Sequence, residues 1–160
     1  MASLASSLKT GLLRQASTEL KAYILYQQGS CWFSHRHLDG ISKRLKQEAE
    51  EEKKHFESIL DYLVLRKEPV KIEPPQIPST EFGNEVQAFQ FYLDLEKQVH
   101  GDLHQLYSQA RETNDFDTER FLGPYLDEQI RSVEEWEKLV EQVKSFSTFH
   151  GLIWHLDSII

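Results

Sequence analysis

Four of the chain's five prolines, Pro69, Pro74, Pro75 and Pro78, fall between Lys67 and Asn84. No helix interior can hold them, because proline lacks a backbone donor and its ring clashes with the preceding turn. On both sides, apolar residues recur every three or four positions over long stretches, the signature of amphipathic helices. A structureless segment of this length is uncommon in a compact domain unless it has a task. A helix of about 28 residues is about 42 Å long, and about 16 extended residues reach about 50 Å. The segment can therefore cross a whole bundle, making the helices before and after it parallel. The expectation is an all-α, four-helix bundle with one long crossover loop.

The rest of the composition agrees. A chain of 160 residues is enough for one domain with a sizeable core, and the reading assigns all of 1–160 to it. With only 7 glycines, a many-turned β fold is disfavoured. The net charge of −8 argues against a nucleic-acid partner, which requires a basic surface. No run of about 18 apolar residues exists, so no segment is expected to enter a membrane. The single cysteine, Cys31, sits among apolar neighbours and reads as a buried, inert thiol in a reducing compartment. Cytoplasmic residence is the expectation. The first 18 residues, with Ser, Lys and Arg but no acid, faintly resemble a transit peptide, so a plastid or other organelle reached through a removed targeting segment stays open.

The spacing predicts helices over about 4–33, 39–65, 81–112 and 116–144, a crossover over about 67–84, and a short apolar fifth helix over about 148–158. The first helix carries Leu8, Leu12, Glu19, Tyr23, Tyr26 and Ser30 on one face. The second carries Ile41, Leu45, Glu48, Glu52, His55, Ile59 and Leu63, and the third Val86, Phe89, Tyr92, Leu93, Glu96, Val99, Leu103, Leu106 and Ala110. The fourth presents Phe121, Tyr125, Gln129, Ser132, Trp136, Leu139 and Val143, with a kink expected at Pro124. Asp115 or Asp117 can cap it. The fifth is too apolar to stand in water, which suggests a subunit interface.

Three apolar stripes are interrupted near their middles by carboxylates: Glu19, Glu52 and Glu96. Glu19 either reaches water at the edge of its stripe or is held inside by a partner. In the run Glu48 to Glu57 most charges belong to a solvated face, but Glu52 and His55 are flanked on the inner stripe by Leu45 and Ile59. They are spaced i, i+3, so their side chains project together. A carboxylate buried there without a partner is costly, so a cation or a hydrogen-bond network is expected. The set matches the di-iron carboxylate pattern, in which two helices give a Glu each and two give Glu-x-x-His, except that the fourth helix offers Gln129-Ile130-Arg131-Ser132.

That asymmetry resembles the ferritins, on Thr18-Glu19-Leu20-Lys21-Ala22-Tyr23, Glu51-Glu52-Lys53-Lys54-His55, Leu95-Glu96-Lys97-Gln98-Val99 and Tyr125-Leu126-Asp127-Glu128-Gln129. The four stretches occur in the right order, on the right helices, with the crossover between the second and third. The likeness covers nearly the whole chain and is nearest to the iron-oxidising, heavy-chain type of subunit. It implies a ferritin-like bundle and a ferroxidase centre. One iron would be held by Glu19, Glu52 and His55, and a second by Glu52, bridging, and Glu96. Glu51 matches the family's mobile carboxylate, Gln129 its glutamine behind the ligands, and Tyr26 the tyrosine that can supply an electron. The resemblance further implies Fe2+ and O2 or peroxide as reactants, transient iron in place of a fixed cofactor, and a homo-oligomeric cage of 24 subunits.

Some positions depart from the family. Lys53 stands where haem-binding relatives have Met, and the only Met is Met1, so no haem is expected. Ser132 replaces an extra Glu ligand found in some bacterial members. At the three-fold channel Glu119 keeps one acid, while the next channel position is Leu122, which puts that iron entry route in doubt. The runner-up is another di-iron carboxylate oxidase or peroxidase without storage. A rubrerythrin-like form of it lacks support, because the second Glu-x-x-His and a four-cysteine iron site are missing. A purely structural bundle would need coincident interruptions on separate helices.

Overall fold

A computed structural model describes residues 3–160. The described residues form five helices, α1 (Ser6–Ser34), α2 (Asp39–Leu65), α3 (Glu85–Glu112), α4 (Phe116–Phe146) and α5 (Ile153–Ile159). α1 pairs with α2 and α3 with α4, and α1 also packs on α3. The chain folds into the expected ferritin-like four-helix bundle with a short fifth helix.

The ends of three long helices share one device. His37, Lys67 and Asn114 adopt left-handed conformations, with φ of 61, 60 and 55°. The amide after each reaches back to a carbonyl five residues earlier: Leu38 to Phe33 at 3.1 Å, Glu68 to Leu63 and Asp115 to Ala110 at 2.9 Å. These are Schellman closures, which satisfy carbonyls that a helix end leaves unpaired. Leu38 and Phe33 are both buried, the apolar contact that accompanies the motif. α4 starts at the cap given by Asp115, whose Oδ1 accepts from Thr118 N at 3.0 Å. α3 starts at Glu85, not Glu81, because Asn84 Oδ1 accepts from Gln87 N at 2.9 Å and fixes the helix start there. α4 runs on through Pro124 as one helix.

The crossover runs beside α1. Glu68 pairs with Lys9 at 3.0 Å, the carbonyl of Glu73 accepts from Ser17 Oγ at 2.9 Å, and Thr80 Oγ1 donates to Gln28 at 3.1 Å. Ascending positions in the loop meet ascending positions in α1, so the segment is drawn along the bundle. It delivers α3 to the end where α2 began, and α2 and α3 are parallel.

The core joins Tyr26, Phe33, Phe89, Tyr92 and Trp136. Tyr26 and Tyr92 are stacked with ring centroids 4.7 Å apart, and Trp136 lies 5.4 Å from Tyr92. Near the Asp115 cap, Arg66 forks onto Asp115 at 2.8 and 3.0 Å and donates to Tyr62 and Thr118, closing α2 on α4.

α5 begins at Ile153, later than the expected 148, after the turn at Gly151, whose φ is 89°. It packs on α2 and α4 of the same chain. Asp157 Oδ1 accepts from Ile41 N at 2.8 Å, so α5 caps a helix that has no cap of its own. Trp154 and Ile159 remain more than half exposed. Two sequence expectations are corrected. Cys31 is exposed, because the last turn of α1 turns Ser30 and Phe33 inward and leaves Cys31 outside. Leu122 is completely buried in the core of the bundle, where an apolar side chain gains most, so it is not on the surface that a channel position requires. No helix among the described residues is long and apolar enough to cross a membrane.

Candidate metal centre

α1 and α2 lie side by side, and this brings the middle of α1 against the second half of α2. Glu19 is fully buried, Glu52 is nearly so and His55 is half-buried. Each offers one ligand atom, and the three atoms lie within 4.8 Å of one another. The inner stripe of α2 is as expected, with Ile41, Leu45, Glu48, Glu52, Ile59 and Leu63 all buried. Of the first helix's stripe, Tyr23 is only half-buried, and Gln15, Ala16, Ala22 and Leu25 complete the inner face.

The three groups are held from behind. Gln15 Nε2, one turn before Glu19, donates to Glu19 Oε1 at 2.7 Å. The other oxygen, Glu19 Oε2, is buried and meets no donor group, and the Glu19 and Glu52 carboxyls lie close enough to share a proton. His55 Nδ1 lies 3.2 Å from Glu52 Oε2, and Nε2 lies 3.2 Å from Glu128 Oε2 on α4. The Tyr125 ring stands edge-on to the imidazole at 5.1 Å, and its hydroxyl bonds Ser58 Oγ at 2.6 Å.

Glu96 on α3 is fully buried and faces the same interior. Tyr26 donates its phenol to Glu96 Oε1. Gln129 Nε2 donates to Glu96 Oε2 and to its backbone carbonyl, the latter at 3.1 Å, and Ser132 Oγ donates to Oε2 at 2.9 Å. Glu96 is thus gripped by α1 and α4 and stands apart from the three-atom group, whereas Glu51, next to Glu52 in sequence, is exposed.

Burial is the chief cause of the electrostatics. It holds Glu19 well above the ordinary carboxyl range, with the Glu52 charge adding to it. Burial pushes Glu52 up to about 8 against the pull of a hydrogen bond with Glu19, and the Glu96, Glu48 and Glu128 charges act with burial. Glu96 is raised by burial against the pull of its three donors. Tyr26 is raised by burial and by the Glu96 charge. The His55 imidazole is the nitrogen group of this set, 3.2 Å from Glu52. Crowded carboxylates, an oxygen without a donor and one imidazole are what a divalent cation would satisfy. Oxygen ligands with one imidazole suit Fe2+, though such ligands do not select it over its neighbours by affinity.

Three participants were not singled out from the sequence. Gln15 was visible in principle, as an amide four residues from a buried acid. Glu128 sits inside a quoted motif, yet its place on His55 depends on how α4 turns against α2. Glu48 is buried, its pKa pushed by burial to about 7, and the fork from Arg44 that holds it became visible only in three dimensions. Beside them a surface cavity of about 460 Å3 opens between α2 and α4. A groove of about 470 Å3 between α1 and α3 reaches Gln15 but none of the ligand set.

Comparison with known proteins bears on the whole chain. The ferritin family profile, described as a ferritin-like domain, matches residues 9–146. Ferritin-3, chloroplastic, of Glycine max is 30% identical over 129 residues, covering 77% of this chain and 50% of that protein. Ferritin-1, chloroplastic, of Pisum sativum is 28% identical over 151 residues, 89% of this chain and 59% of that protein. The chain thus spans about half the length of the curated relatives it matches. Among solved structures, an open pore ferritin from the hyperthermophilic archaeon Archaeoglobus fulgidus superposes with a TM-score of 0.94 at 26% identity, covering 99% of this chain and 96% of that one.

Proposed function

The chain belongs to the ferritin family, and from that premise we propose that it is an iron-storage ferritin subunit with ferroxidase activity. The observation that carries the reading is the buried meeting of Glu19, Glu52 and His55 within 4.8 Å, with one Glu19 oxygen meeting no donor group. Fe2+ is the substrate. Glu19, Glu52 and His55 would hold one Fe2+, and Glu52 and Glu96 a second. Each Fe2+ gives up one electron on becoming Fe3+, so a pair reduces O2 to the level of peroxide, and peroxide can serve as oxidant in its turn.

The residues around the ligands have distinct tasks. Gln129 and Ser132 orient Glu96, and the Tyr26 phenol, bonded to Glu96, is placed to supply an electron. The exposed Glu51 is free to swing and hand ions on. The second position has fewer ligands than the first, which favours release of Fe3+ to a mineral over permanent loading. Storage of that mineral requires a hollow homo-oligomer, for which 24 subunits is the reading. The chloroplastic relatives support the plastid alternative over the cytoplasm.

The decisive experiment follows iron oxidation and oxygen consumption in wild type, Glu52→Ala and His55→Ala. Loss of the fast phase in both variants is expected, and unchanged rates would overturn the assignment. Size-exclusion chromatography with iron staining separates the storage reading from a di-iron oxidase or peroxidase without storage, since a very large iron-bearing particle is expected only for the former.

A further inference from the structure

Arg44, Glu48 and Glu52 follow one another at one-turn intervals on α2, so the guanidinium and both carboxylates project from one face. Arg44 Nε and Nη2 each lie 2.7 Å from Glu48 Oε1. Nη2 also lies 3.1 Å from Glu135 Oε2 on α4. One side chain therefore ties α2 to α4 across the mouth of the cavity between them. That cavity is lined by Glu48, Glu51, Glu128, Ser132 and Glu135 as well as by Arg44. Glu128 is the partner of His55, and Ser132 is a partner of Glu96, so the wall of the cavity is also the back wall of both halves of the metal centre.

We propose that Arg44 is a built-in counter-cation that closes the passage between the metal centre and this cavity, and that a metal ion crosses there only by displacing the guanidinium from Glu48. The inference rests on the proposed metal-centre reading. Glu48 is 8% exposed, and a carboxylate so placed needs a cation beside it. A guanidinium supplies one that does not deprotonate and that grips an oxygen with two donors at fixed spacing. While Arg44 is in place, its single charge occupies Glu48 Oε1 and Glu135 Oε2. With Arg44 withdrawn, Glu48 and Glu135 lose the cation that bridges them, Arg131 is the one guanidinium left on the cavity wall, and the two carboxylates form an oxygen-rich position for a dication. Arg44 is a positioning residue in this scheme, acting through Glu48 on the traffic of ions and not on the reacting atoms.

The test is calorimetric titration of the metal-free, assembled protein with Zn2+, which binds carboxylate and imidazole without redox turnover. Arg44→Gln is expected to bind about one more equivalent of Zn2+ per subunit than wild type. Arg44→Lys, which restores the charge, is expected to bind as wild type does, and the Arg44→Gln, Glu48→Gln double variant is expected to lose the extra equivalent. A merely structural Arg44 gives no gain of binding. Equal stoichiometry in assembled Arg44→Gln and wild type overturns the proposal, as does an extra equivalent that survives Glu48→Gln. Should Arg44→Gln not assemble, Arg44→Met is titrated in its place against the same two outcomes. Failure of the ferroxidase reading looks different: wild type itself takes up no Zn2+ at Glu19, Glu52 and His55 and shows no fast iron oxidation, whatever the variant does.

Discussion

Tyr26 on α1 and Glu96 on α3, 70 residues apart, are joined by a hydrogen bond from the phenol to Oε1 inside a fully buried site. It is the direct link between α1 and the carboxylate that α4 holds from the other side. Tyr26→Phe keeps the ring stacked on Tyr92 and removes one donor to a buried acid. The expected cost is about 1–3 kcal/mol, read as a Tm of metal-free protein lower by several degrees. Iron oxidation should slow as well, because Glu96 loses one of the groups that aim it. An unchanged Tm would show that the hydroxyl contributes nothing to holding Glu96.

The pH dependence of stability has a definite sign. Carboxyl groups whose folded values are raised favour the fold when protonated. Their contribution is whole below the ordinary value of 4.5 and is lost as pH climbs through about 8 for Glu52 and about 7 for Glu48. Metal-free protein should therefore lose on the order of 3 kcal/mol between pH 6 and pH 8, a fall in Tm of about 5–10 °C. Bound cations require the ionised carboxylates, so apparent Zn2+ affinity should rise over the same range. Thermal scans across this range, repeated with Glu52→Gln and with saturating Zn2+, should show a smaller slope in both. A flat profile for metal-free wild type contradicts the burial of these acids.

Glu128 offers a graded test of how the imidazole is held. Its Oε2 lies 3.2 Å from His55 Nε2 and leaves Nδ1 turned toward Glu52. A carboxylate behind a ligating histidine fixes its tautomer and orientation. Glu128→Ala should weaken metal binding by about tenfold while leaving the fold intact, since the side chain is partly exposed. His55→Ala should weaken it far more. Titration of the two variants with Zn2+ separates them, and equal losses would place Glu128 among the ligands themselves.

The bundle was legible because periodicity reports which face is buried. Every stripe residue named on α2 except His55 is buried, and on α3 only Val86 is half-exposed. The prolines marked the crossover, since a helix can run through one proline, as α4 does through Pro124, but not through Pro69, Pro74, Pro75 and Pro78 in close succession. The candidate site was legible for a related reason: Glu19, Glu52 and Glu96 each stand out against an apolar stripe. What escaped notice lies off the stripes or between helices. Cys31 is one position from the buried Ser30, and a hydrophobic neighbourhood in sequence says nothing about which way a helix turns. Leu122 occupies a position that resembles a channel position of the family, but its apolar side chain follows burial instead. Arg44 and Glu135 look like ordinary surface charges in sequence, and only the approach of α2 to α4 makes them one latch. The capping of α2 by Asp157, 116 residues away, has no local signal at all.

Gly29 on α1 lies directly against Tyr92 of α3, and its replacement should be severe. A Cβ there would lie 1.9 Å from the Tyr92 hydroxyl and 2.7 Å from the ring carbon that bears it. Tyr92 is buried, its hydroxyl donates to the Leu25 carbonyl at 2.8 Å, and its ring stacks on Tyr26. Gly29→Ala would ordinarily favour a helix by about 1 kcal/mol. Here it must push Tyr92 out of both contacts or part the helices, and overpacking of this kind costs about 1–3 kcal/mol or more. The variant should unfold at a lower temperature than wild type, and the tyrosine that backs Tyr26 should shift, slowing iron oxidation. Gly29→Ala combined with Tyr92→Leu removes the colliding atoms and should recover part of the lost Tm relative to Gly29→Ala alone. A double variant no more stable than the single would mean that the glycine is required by something other than Tyr92.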